Sequence, residues 1–185
     1  MQLNIPTQLT LLRIALIPVF IGVFYLEMRW SNLLATALFG LAALTDWLDG
    51  YLARRWEQQS PFGAFLDPVA DKLMVAAALV MLVSAHPGPL LAIPAIIIIG
   101  REITISALRE WMAEVGARSK IAVSTIGKFK TTAQMTAILL LIFKEPLLGL
   151  PIYQIGQVLL YLAALLTLWS MILYLIAAWP MLRGR

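Results

Sequence analysis

The sequence predicts an all-α membrane protein of six spanning helices, and three observations carry that prediction. Of 185 residues, 61% are hydrophobic and 13% charged, where an average soluble domain carries roughly a quarter charged residues. Mean hydropathy is +0.86, as expected when lipid replaces water as the outer solvent. Six apolar segments then reach the roughly 20 residues that cross the hydrocarbon at ~1.5 Å per residue.

In order, those segments run over approximately 8–26, 33–56, 61–84, 89–112, 124–143 and 153–180. The connections carry the turn and charge signals: "EMRWSN", "EQQSP", "SAHPGP", "REWMAEVGARSKIAVS" and "KEPLLGLP". The opening "MQLNIPTQLTLLR" lacks a basic leader and a small-residue cleavage site, so it reads as an uncleaved first span. Ser60-Pro61 supplies an N-cap and first position for the third helix, and Pro68 either kinks that helix or restarts it with Asp67 as cap. With no repeat, soluble domain or low-complexity tail, residues 1–185 read as a single membrane-embedded domain.

Orientation follows from lysine and arginine. Arg54, Arg55, Arg109, Arg118, Lys120, Lys128, Lys130, Arg183 and Arg185 lie on one side, against Arg29 and Lys144 on the other. Both termini are therefore expected in the cytoplasm. The net charge of +4 reflects loops facing anionic lipid rather than nucleic acid. Absence of cysteine excludes disulfides, thiolate metal sites and cysteine nucleophiles. The single histidine, His86, sits in a Pro/Gly turn and leaves little room for histidine chemistry.

Four acids lie where water is scarce. Asp46 and Asp49 share a helical face with Gly50 and Ala53, and Asp67 and Asp71, four apart, share a face of the next helix. At ~1.5 Å per residue Asp46 lies about 12 Å below Arg54, and Asp71 about 15 Å below Pro61, so the hairpin brings four carboxylates to similar depth. Unpaired, they repel one another and are costly to desolvate, and Arg54 and Lys72 are too few to neutralise them. Two divalent cations would balance the charge, and an all-oxygen ligand set selects hard ions such as Mg²⁺ or Mn²⁺. Solvated acids at a frayed helix end are the bland alternative, and a cation or proton pathway is the functional rival. Clustering at one depth, beside a groove left by Gly50 and Ala53, favours paired-metal chemistry at phosphorus over both.

Residues 46 to 71 read D-x2-D-G-x2-A-R-x8-G-x3-D-x3-D, through Asp46, Asp49, Gly50, Ala53, Arg54, Gly63, Asp67 and Asp71. This resembles the signature of the CDP-alcohol phosphotransferase family. The resemblance implies a six-helix membrane domain that moves a phosphatidyl or related group from a CDP-linked donor to an alcohol and releases CMP, at a site with two metal ions. By position, Asp46, Asp49, Asp67 and Asp71 would hold the metals, and Asp71 would also deprotonate the acceptor hydroxyl. Gly50, Ala53, Arg54 and Gly63 would line the CDP site, although the small residues also suit helix packing.

A basic segment follows from Arg101 to Lys130. Arg101 and Arg109 share a helical face within the fourth span, with Arg118, Lys120, Lys128 and Lys130 beyond. Snorkelling and positive-inside bias account for some of these, and an anionic acceptor would use the rest, Lys120 the weakest candidate. "REITISALREWMAE", "IGK" and "KTTAQM" resemble the bacterial branch of the family whose donor is CDP-diacylglycerol and whose acceptor is glycerol 3-phosphate. That resemblance implies an inner-membrane enzyme facing the cytoplasm, and a homodimer. Thr10 and Arg13 of the first helix are further candidates for the site. Within the family, branches that make cardiolipin or phosphatidylinositol phosphate remain alternatives, and outside enzymes a divalent-cation transporter does.

Overall fold

The structure, a computed structural model, describes residues 4–26, 28–56, 60–114 and 125–182; the side chains at 53–54, 125–128 and 180–182 lie outside that description. It contains α1 (Ile5–Phe24), α2 (Ser31–Arg55), α3 (Pro61–Ala85), α4 (Pro89–Glu114), α5 (Thr125–Phe143) and α6 (Ile152–Leu182), with no strand among the described residues. Five of these are long and apolar enough to cross a membrane, and α5 has a shorter apolar stretch, Phe129–Phe143.

Local chemistry sets the ends. Asn4 caps α1, its Oδ1 accepting from the Thr7 N–H at 3.2 Å. Ser60 caps α3 in the same way, accepting from the Gly63 N–H at 2.9 Å, with Pro61 at the first position. α3 continues through Pro68 as one helix, which excludes a restart capped by Asp67. Packing on a neighbour and a lipid surround tolerate the lost backbone bond. Between α5 and α6 the chain turns tightly, with an isolated bridge pairing Leu147 and Leu150. Gly149 sits at φ +78°, where a side chain would be strained.

The helices pack as a ring. α1 lies against α2 and α3, α2 against α5, α5 against α6, α6 against α4, and α4 closes onto α3. The core is formed by Phe20, Phe39, Leu79, Ile98, Ile138, Leu141 and Leu160, all almost fully buried. Large apolar side chains such as Leu44, Ile96, Leu165 and Ile176 point outward, the face a lipid-embedded protein offers its solvent. α2 and α3 meet far less with each other than each does with α1, so the two aspartate helices are joined through a third element.

Candidate active site

α1 carries Thr7, Thr10 and Arg13 on one face at three-residue spacing, and all three are buried. That face enters between α2 and α3. Arg13, 1% exposed, reaches three carboxylates: Nη2 lies 2.6 Å from Asp49, and Nη1 lies 2.9 Å from Asp46 and 2.7 Å from Asp71. Thr10 Oγ1 donates to Asp67 and lies 3.4 Å from Asp49 Oδ2. All four aspartates thus gather as expected, with α1 bridging the two helices of the hairpin. The expectation that only Arg54 and Lys72 offset them is corrected by Arg13, a permanent cation in their midst.

The carboxylates differ in access. Asp49 is 2% exposed, whereas Asp46 and Asp71 are 40% and 47% exposed and line a cavity of about 1020 Å³. Asp67 lines it as well. The donor set fits a hard divalent cation, being four carboxylates and a hydroxyl with no softer ligand. Among the described residues no three acids converge on one ligand point; the guanidinium of Arg13 stands between Asp46 and Asp71 instead.

Gly63 has a packing reason of its own. A Cβ there would sit 2.9 Å from Thr7 Oγ1 and 3.0 Å from Ser60 Oγ, and those two hydroxyls lie 3.0 Å apart across the α1–α3 contact. The glycine lets α3 start against α1. Gly50 is half-buried in α2. Ala53 and Arg54 fall on the last turns of α2, their side chains outside the described ones.

The same cavity is also lined by side chains of α4, α5 and α6. Arg101 and Arg109 line it, with Glu102, Ser106 and Glu110 of α4, Thr131 and Gln134 of α5, and Tyr174 of α6. Arg101 Nη1 pairs with Glu102 Oε1 at 2.7 Å, and Nη2 donates to Ser170 at 3.2 Å. Lys130, buried at 4%, pairs with the same Glu102 oxygen at 3.2 Å. Arg109 donates to the Tyr174 hydroxyl at 3.0 Å and lies over that ring. Among the basic candidates, then, Arg101 and Arg109 face the cavity and Lys130 supports them from beneath. Lys128 begins α5 with its side chain outside the described ones, and Arg118 and Lys120 lie outside the described residues.

Two features escaped the sequence reading. The central place of Arg13 was signalled by the Thr7, Thr10, Arg13 stripe in an otherwise apolar helix. Glu102, which joins α4 to α5, has no comparable signal, since its partner is 28 residues away.

Helices long and apolar enough to cross a bilayer, with aspartates and arginines lining one shared cavity, describe a membrane protein that gathers charge of both signs in one place. The model of the CDP-alcohol phosphatidyltransferase family matches residues 3–169, and the chain belongs to that family. It is 56% identical over 178 residues to the CDP-diacylglycerol–glycerol-3-phosphate 3-phosphatidyltransferase of Pectobacterium atrosepticum, covering 96% of both chains. Proteins of the same name from Sodalis glossinidius and Escherichia coli K12 are 56% and 54% identical over the same length and coverage. The family generally uses a divalent metal.

Proposed function

We propose that this protein transfers the phosphatidyl group of CDP-diacylglycerol to sn-glycerol 3-phosphate, giving phosphatidylglycerophosphate and CMP. The observation that carries the reading is one cavity lined both by Asp46, Asp67 and Asp71 of α2 and α3 and by Arg101 and Arg109 of α4. Relatives covering nearly the whole chain bear the name of that reaction.

Each group has a task. The acyl chains of the donor stay in lipid, and its cytidine lies toward Gly50, Ala53, Arg54 and Gly63. Asp46, Asp49, Asp67 and Asp71 would hold two divalent ions, Mg²⁺ or Mn²⁺, which when bound would supply charge stabilisation to the transferring phosphoryl group. Arg101 and Arg109 receive the acceptor phosphate with charge-assisted hydrogen bonds, and Lys130 keeps Glu102 from drawing Arg101 away. Arg118 and Lys128 are further candidates for binding that phosphate. Asp71, open to the cavity, takes the proton of the primary hydroxyl as its oxygen bonds to the phosphorus bearing diacylglycerol. The bond from that phosphorus to the CMP oxygen breaks, and CMP leaves.

The site opens to the cytoplasm of a bacterial inner membrane, with both termini on that side. Support comes from the lysine and arginine count and from α2, whose exposed Trp47 and Tyr51 stack at 5.8 Å while Arg55 donates to the Tyr51 hydroxyl at 2.7 Å, an interfacial arrangement. The protein works as a homodimer in membrane lipid.

Purified protein in detergent tests the reading. CMP release from CDP-diacylglycerol is expected to require both glycerol 3-phosphate and Mg²⁺ or Mn²⁺. Release that proceeds equally with inositol phosphate or phosphatidylglycerol would move the protein to another branch, and metal flux in liposomes without CMP release would remove it from enzymes.

A further inference from the structure

Arg13 holds its carboxylates with two unequal hands. Nη2 grips Asp49, which is buried with it. Nη1 spans Asp46 and Asp71, the pair that opens on the cavity. Its Nε is buried and has no hydrogen-bond partner among the described residues, so the guanidinium does not satisfy all its donors in this position. A buried cation kept at the cost of an unpaired donor marks a group placed for its charge. A divalent ion that used Asp46 and Asp71 would compete with Nη1 for the same oxygens, while the Nη2 contact with Asp49 could persist.

We propose that Arg13 is a resident counter-ion and positioning residue. It keeps the acidic cluster assembled without metal, and it cedes Asp46 and Asp71, but not Asp49, when a divalent cation binds. This rests on the metal-dependent reading above. It adds an exchange, in which the site trades one contact of a fixed cation for a mobile one. Binding is weakened by the trade, and in return four carboxylates need not face each other unbalanced between turnovers.

Mn²⁺ binding followed by electron paramagnetic resonance, with full-length protein in detergent and no nucleotide, tests it alongside thermal unfolding in EDTA. Arg13→Gln is expected to bind Mn²⁺ about tenfold or more tightly than wild type, the competition of one charge-assisted contact removed, and to melt lower in EDTA. Arg13→Lys keeps the charge without the fork and should fall between. Lys72→Gln removes a cation from the same cavity, and Lys72 makes no ion pair among the described residues; its affinity should shift less than about twofold. Unchanged or weaker Mn²⁺ binding by Arg13→Gln overturns the exchange. So does an equal gain in Lys72→Gln, which would make the effect one of general field. Should Arg13→Gln not survive metal removal, Arg13→Lys decides alone, and affinity no tighter than wild type overturns the proposal. Wild-type CMP release in the same preparation reports separately on the proposed reaction, so that reading can fail while the exchange stands.

Discussion

The two ends of the cavity are built on opposite plans. At the α1–α2–α3 end one buried cation, Arg13, serves three aspartates. At the α4–α5–α6 end one carboxylate, Glu102, serves two cations. In each, a single minority charge holds together a majority that would otherwise repel. The difference lies in what remains unbalanced: negative charge exceeds positive within the first clamp, and positive exceeds negative within the second. A low-dielectric surround makes both excesses felt more strongly than they would be in water. The comparison teaches that a membrane protein can store opposite charges a short distance apart when each store has its own internal clamp.

Breaking the chemistry of the acidic end should have the largest effect. Asp71→Asn is expected to lower CMP release by about 10²- to 10⁴-fold, the range for loss of a positioned base, with the helical circular dichroism unchanged. Substantial residual turnover would remove Asp71 from that role.

Breaking the clamp at the basic end comes next. Glu102→Gln leaves Lys130 buried without its counter-charge, and unfolding in detergent should show a loss of roughly 3 kcal/mol. Glu102→Gln with Lys130→Met should recover part of it, because the buried ammonium left without a counter-charge is removed as well. A double variant as unstable as the single one would show that the loss does not come from the unpaired Lys130.

Helix approach sharpens the acidic end at smaller cost. Gly63→Ala places a methyl group within 3.0 Å of the Thr7 and Ser60 hydroxyls and should cost about 1–3 kcal/mol through overpacking. An unaltered melting temperature would mean that α3 shifts freely against α1.

The smallest effect is remote from both ends. His86 follows α3, with its ring 5.3 Å from that of Tyr153. Burial and then the nearby Lys144 charge hold its pKa below the ordinary 6.5. The unfolded chain therefore takes up the proton first, so the His86 contribution to stability should be level above about pH 7 and should decline modestly as pH falls through about 6.5. His86→Gln should flatten that decline between about pH 7.5 and 5.5, as read by melting temperature.

Much of this was legible in residue order. Apolar run length placed all six helices, and Ser60-Pro61 marked the start of α3, because span length and capping are local properties. The paired spacing of Asp46 with Asp49 and of Asp67 with Asp71 likewise placed four carboxylates in one constellation. What could not be read was which helix would lie between α2 and α3, since that depends on side-chain fit between distant segments. Arg13 therefore stood at the edge of the expected site and lies at its centre. Lys130, expected against the acceptor phosphate, pairs with Glu102 instead, a contact fixed only when α4 and α5 both pack on α6.

The central claim is that the acidic end performs the transfer while the basic end selects an anionic acceptor. Arg109 lies on the cavity wall outside the buried Glu102 clamp, so Arg109→Gln tests it most directly. The Michaelis constants for both substrates and the turnover number should be measured in one preparation. The account predicts that KM for glycerol 3-phosphate rises about tenfold or more, while kcat and the KM for CDP-diacylglycerol stay close to wild type. A fall in kcat with the glycerol 3-phosphate KM unchanged would contradict it.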